Sequence, residues 1–128
     1  LRQEEVAMNA VTIVSLRGDW ESSAARDLKA VRKGAIQRLE HADIRHWPGE
    51  QLTWSSVLDI KGLENRFVCV IDIDSLDSEE DIDGLYVAMS RPRAGLWVAS
   101  RPSVSSQIAD LYQKNFSTAL EALKGASL

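Results

Sequence analysis

The sequence predicts an α/β domain with a mainly parallel sheet and helices on both of its faces. Three observations carry this expectation. Short apolar, β-branched runs alternate with stretches whose apolar residues recur at helical spacing. One run, Phe67 to Ile73, is almost entirely apolar, the pattern of a strand buried on both faces, and parallel sheets are covered on both. Acidic residues, Asp72 and Asp74, stand at the end of that run, as is ordinary at strand ends in this architecture. At 128 residues the chain forms one domain, long enough to bury most of a single core.

The elements follow in order. Val11 to Leu16 is a β-branched run closed by Arg17-Gly18-Asp19, a strand ending in a turn. Asp19 or Ser22 can cap the next helix, where Ala24, Leu28, Val31 and Ala35 form a narrow apolar stripe weakened by Gly34. Residues 36–50 carry little pattern until Pro48-Gly49 marks a turn. Leu52 to Leu58 and Phe67 to Ile73 read as strands. Ser78, with Glu80 and Asp81 behind it, starts a helix whose Ile82, Leu85, Tyr86 and Met89 share one face. Pro92 stops that helix after Arg91. Leu96 to Ala99 is the last strand, and Ser103 caps a final helix with Ile108, Leu111, Tyr112, Ala119 and Leu123 on its buried side.

Composition narrows the function classes. The net charge of −4 argues against a protein that coats nucleic acid by bulk electrostatics. The charge is uneven: Arg26, Lys29, Arg32, Lys33 and Arg38 crowd the first third, and acidic residues crowd 72–83. The basic stretch is either a solvated face or a nucleic-acid contact. The acidic stretch has no ordered ligand spacing, so it reads as a solvated loop and no metal ligand is assigned. The lone Cys69 builds neither a disulfide framework nor a zinc site and points to a reducing, cytoplasmic setting. His41 and His46 have no partner pattern and read as surface residues. No apolar run approaches a membrane span and the first residues are not a signal peptide, so no membrane partner is expected. A chain that starts at Leu1 reads as a segment of a longer polypeptide.

The chemistry-bearing pattern lies between Thr53 and Ser100. Lys61-Gly62-Leu63-Glu64 follows a strand, and Ser90-Arg91-Pro92-Arg93 ends a helix before another strand. A glycine lets backbone approach a phosphate, a carboxylate can accept from a ribose hydroxyl, and an arginine at a helix end can neutralise charge on a transferring phosphate. Trp20, Trp54 and Trp97 can each stack a base. For Trp97, inside a strand, core packing is the expectation, and Trp54 is the nucleic-acid candidate.

Ser55-Ser56-Val57-Leu58-Asp59-Ile60-Lys61-Gly62-Leu63-Glu64, running into Phe67-Val68-Cys69-Val70-Ile71-Asp72, resembles motif V of the UvrD/Rep-like superfamily 1 helicases. Leu85-Tyr86-Val87-Ala88-Met89-Ser90-Arg91-Pro92-Arg93, running into Leu96-Trp97-Val98, is similar to their motif VI. Together these cover a little over a third of the chain. The resemblance implies the second, C-terminal RecA-like domain, a three-layer sandwich, of an ATP-dependent DNA helicase or translocase. Residues 1–10 would be a linker from the upstream RecA-like domain, 11–102 the core and 103–128 the C-terminal helix. It further implies that Glu64 contacts the ribose of ATP, that the Gly62 turn lies near the γ-phosphate, and that Arg91 is the catalytic arginine finger. Ser55 and Ser56 would approach single-stranded DNA, with Arg17 a further phosphate contact.

The match has departures. Leu58 stands where the family commonly carries histidine, Asn65 where phenylalanine is usual, and Pro92 where a small residue follows the arginine. No Gly-x-x-x-x-Gly-Lys-Ser/Thr loop is present, nor the acidic motif that would hold Mg2+. ATP and Mg2+ are therefore expected to act in the full-length protein, with neither bound by this segment, which is expected to be inactive alone. Three alternatives stay open. Arg91 can be a helix-end cation answering the dipole, and Lys61 and Glu64 a surface ion pair. The whole chain can be a non-catalytic RecA-like interaction or nucleic-acid-binding module. A phosphoacceptor receiver needs an acidic pair after the first strand and a lysine after a late one, and Leu16-Arg17-Gly18-Asp19 and Val98-Ala99-Ser100-Arg101 supply neither.

Overall fold

A computed structural model describes residues 7–28, 36–111 and 113–114. Five strands, β1 (Val11–Ser15), β2 (Ile36–Arg38), β3 (Leu52–Ser56), β4 (Asn65–Ile73) and β5 (Pro92–Ser100), form one sheet in the order β2-β3-β1-β4-β5. Every pairing is parallel, so the parallel α/β sheet is as the sequence predicts. Among the described residues three α-helices accompany it: a single turn α1 (Val57–Ile60), α2 (Glu79–Met89), and α3 over residues 102–111.

Side chains alternate across the pleat and build two apolar layers. On one face Val14, Val68 and Val70 pack with Ile60, Leu85, Ala88, Val104 and Ile108. Each such aliphatic group, fully buried, contributes roughly 1.5–3 kcal/mol. On the other face Ile13, Leu52 and Trp54 pack with Ala25, flanked by Trp20, Cys69 and Ile71. The cover there, among the described residues, is two 3-10 turns, Trp20–Ser22 and Ala24–Asp27.

Several elements differ from expectation, each for a local reason. The helix expected over Ala24 to Ala35 begins as a 3-10 turn and reaches an extended, 40% exposed Leu28. Asp19 and Ser23 accept from backbone N–H groups two residues ahead, which favours tight turns over a continuous helix. Val31, Gly34 and Ala35 of that expectation lie outside the described residues, as do Tyr112, Ala119 and Leu123 of the last helix. β2 was hidden by its shortness in the patternless region.

The strand expected to Leu58 stops at Ser56, whose Oγ accepts from Asp59 N at 3.2 Å and caps α1. β5 starts at Pro92, not Leu96; proline is tolerated at the first residue of an edge strand because its missing N–H costs no ladder bond there. α3 starts at Pro102, so Ser103 lies inside its first turn and does not cap it. α2 is capped by Ser78 as expected, but its buried positions are Leu85 and Ala88, with Tyr86 38% exposed. Trp97 is not core: it is 40% exposed and rests against Phe67 at 5.6 Å between ring centres. No helix among the described residues is long and apolar enough to cross a membrane.

Candidate functional site

In a parallel sheet all strands start at one end and finish at the other, so the predicted residues sort into two groups. At the starting end, β4 and β5 pair with Asn65 opposite Pro92, and Asn65 N donates to Arg91 O at 3.3 Å. The residues just before each strand, Lys61 to Glu64 and Arg91, thus share one edge. Leu63 N donates to Ile60 O at 3.0 Å, and between them Lys61 has φ −56, ψ 131 and Gly62 φ +81. This is a type II turn, whose third residue needs a positive φ and selects glycine. A Cβ on Gly62 would meet nothing within 4 Å, so its outer side is open for a ligand.

Glu64 and Lys61 are exposed beside this turn, and no ion pair joins them. Arg91 is half-buried at the end of α2. Its Nε donates to Val87 O at 3.2 Å and its Nη2 to Ser90 Oγ at 2.8 Å. The guanidinium thus faces the negative end of its own helix and contacts only neutral acceptors. Asn65 is 2% exposed. Its Nδ2 donates to Asn9 O at 3.1 Å and Thr12 Oγ1 at 2.9 Å, pinning β4 to the start of β1.

The finishing end holds the remaining candidates. Connections leave β1 and β4 in opposite directions, which makes their ends a topological switch point, the crevice where open α/β sheets bind ligands. A polar network lines it. Asp72, with φ +58 and a side chain 2% exposed, accepts from Ser15 Oγ and Ser23 Oγ at 2.6 Å each and from Ala24 N at 3.1 Å. Beside it Arg17 donates to both carboxylate oxygens of Asp74, at 2.9 and 2.8 Å, and to Ser22 O at 2.6 Å. Its guanidinium is held above its ordinary range chiefly by the Asp74 hydrogen bond, and that same bond holds Asp74 below the ordinary carboxylate range. Arg101 Nη2 lies 3.5 Å from the same carboxylate.

Three of the nucleic-acid candidates have side chains engaged within the protein in this arrangement. Trp54 is 2% exposed, meets Trp20 edge-on at 5.2 Å and donates from Nε1 to Ser23 Oγ at 3.1 Å, so its ring faces are not open to a base. Ser55 is 1% exposed and its Oγ donates to Ser56 O at 2.7 Å. Arg17 has its donors committed to Asp74 and Ser22. Ser56 alone combines partial exposure with a place at the rim, and its hydroxyl oxygen caps α1. Sequence reading missed Ser15 and Ser23, which looked like a strand end and a turn; only their meeting at Asp72 gives them a role.

Elsewhere Cys69 is packed against the second face, and burial pushes its thiol pKa up. His41 and His46 are exposed, as expected, and Asp43, bonded to Arg45 and His46, is held below the ordinary carboxylate range. No group of three or more His, Cys, Asp or Glu side chains converges as a metal site among the described residues. The open Gly62 turn lies beside exposed Glu64, with half-buried Arg91 on the same edge. No protein-family description and no curated protein matches the chain.

Proposed function

We propose that this chain is the C-terminal RecA-like motor domain of a cytoplasmic ATP-dependent DNA helicase or translocase. On this reading it supplies Gly62, Glu64 and Arg91 to an ATP site completed by an upstream domain, and it is inactive alone. One observation supports it above the others: the pairing of β4 with β5 sets the Lys61–Glu64 turn and Arg91 on one edge, linked through Asn65 N and Arg91 O. Water would attack the γ-phosphorus of the bound nucleotide as the bond to the bridging oxygen breaks, releasing phosphate and the nucleoside diphosphate. Glu64 would orient the ribose, the Gly62 turn would admit the phosphate end without a Cβ in the way, and Arg91 would neutralise charge after leaving its neutral acceptors. Single-stranded DNA would approach the opposite end of the sheet, where Ser56 is accessible.

The test is Arg91→Ala in the full-length polypeptide. Loss of an arginine finger slows turnover by about a thousandfold or more, with nucleotide binding mostly kept; unchanged ATP hydrolysis would sink the reading. The second reading, a non-catalytic interaction or nucleic-acid-binding module, is favoured by Leu58. It is 75% exposed on α1 where the resemblance calls for histidine, and it offers an apolar contact in place of a polar one.

A further inference from the structure

Among the described residues, Arg17, Arg26, Arg38, Arg45 and Arg101 each lie within ion-pair distance of a carboxylate. Arg66, Arg91 and Arg93 do not, although the chain has 19 acidic residues and a net charge of −4. Arg66 and Arg93 lie on neighbouring strands in the same irregular stretch of the sheet edge. The β4–β5 register runs from Asn65 opposite Pro92 to Phe67 opposite Gly95. Two steps along β4 therefore match three along β5, a bulge that sets Arg93 and Ala94 against Arg66. Bulges re-aim side chains and recur beside binding sites. Both arginines are exposed, and the Arg66 guanidinium is held over the Phe67 ring at 5.3 Å. Lys61 adds a third cation on the same edge, again with no carboxylate partner.

We propose that Arg66 and Arg93 form an anion site for a condensed phosphate chain, the class of group that a nucleoside triphosphate carries. Guanidinium forks grip phosphate oxygens bidentately. Two forks on strands about 4.8 Å apart suit two closely linked phosphates better than a single carboxylate. As the phosphate end of a nucleotide, this ligand rests on the function proposed above; as an anion site it does not use Arg91 and can be tested separately.

Tripolyphosphate titrated into the chain at low salt, followed by backbone amide NMR, should shift signals over residues 61–67 and 91–95. Arg66→Gln and Arg93→Gln should each weaken binding, and the double variant should lower affinity roughly tenfold or more. Arg45→Gln should leave it unchanged. An adverse result is an absence of shifts at these residues, an unchanged affinity in the double variant, or shifts produced by oligothymidylate but not by tripolyphosphate; each overturns the site. Tripolyphosphate binding that needs Arg66 and Arg93, alongside normal ATP hydrolysis by the full-length Arg91→Ala variant, would keep this site and remove the helicase reading.

Discussion

Gly62 and Asp72 both sit in the left-handed region of backbone space, and they illustrate two kinds of legibility. Gly62 is visible in sequence, because a lone glycine between Lys61 and Leu63 after a strand marks a turn. Its φ of +81 then explains why no other residue fits well. Gly62→Ala should cost about 1–2 kcal/mol in chemical denaturation through backbone strain alone, with Gly62→Asn milder, since open space surrounds the site. Asp72 gave no such signal. Its importance comes from Ser15 and Ser23, residues far from it in the chain, whose hydroxyls it accepts. Asp72→Ala would orphan those groups and force alanine to a positive φ, and should cost about 3 kcal/mol or more. A loss under 1 kcal/mol would show that water replaces the carboxylate.

At the scale of elements, hydrophobic pattern located β1, β3, β4 and α2 but could not rank the tryptophans. Trp54 and Trp97 both lie in strands, and the expected roles are reversed in the fold. β3 is an inner strand covered by Ala25 and Trp20, whereas β5 is one of the two edge strands and leaves Trp97 40% exposed. Trp54→Ala should therefore cost about 3–5 kcal/mol, and Trp97→Ala less than half as much in the same denaturation series. Equal losses would mean that the second face of the sheet is more tightly covered at β5 than its exposure indicates. Gly95 belongs to this element as well. A Cβ there would meet the Phe67 ring at 2.8 Å, so the glycine makes room for the aromatic pair of Phe67 and Trp97, a need that only the cross-strand register reveals.

For the whole molecule, the parallel sheet separates two chemically different ends. One carries the Gly62 turn, Glu64 and cations without carboxylate partners; the other carries carboxylates tied to serines and arginines. The second end makes stability depend on acid. Asp74 has a folded pKa below its ordinary value of 3.8 because Arg17 bonds to its charged form. Its contribution is therefore complete above that ordinary value and is lost as pH falls through the folded one. Unfolding midpoints measured from about pH 5 down to pH 2 should fall, and Asp74→Asn should flatten that fall. The effect is small because Asp74 is half exposed and solvent screens the pair. An identical acid profile in the variant would place the acid sensitivity elsewhere.

The sequence by itself determined the α/β class, the apolar strands, the capped α2 and the Gly62 turn. Each of these is written in local periodicity or in one residue's backbone preference, and neither needs a distant neighbour. Tertiary structure alone decided which strands became the edges, which tryptophan was buried, and where Arg17, Ser15 and Ser23 find their partners. It also decided that Arg66 and Arg93 share one bulge of the β4–β5 pair. Those outcomes depend on strand order and register, which bring residues tens of positions apart within a few ångströms, and no local pattern encodes that distance.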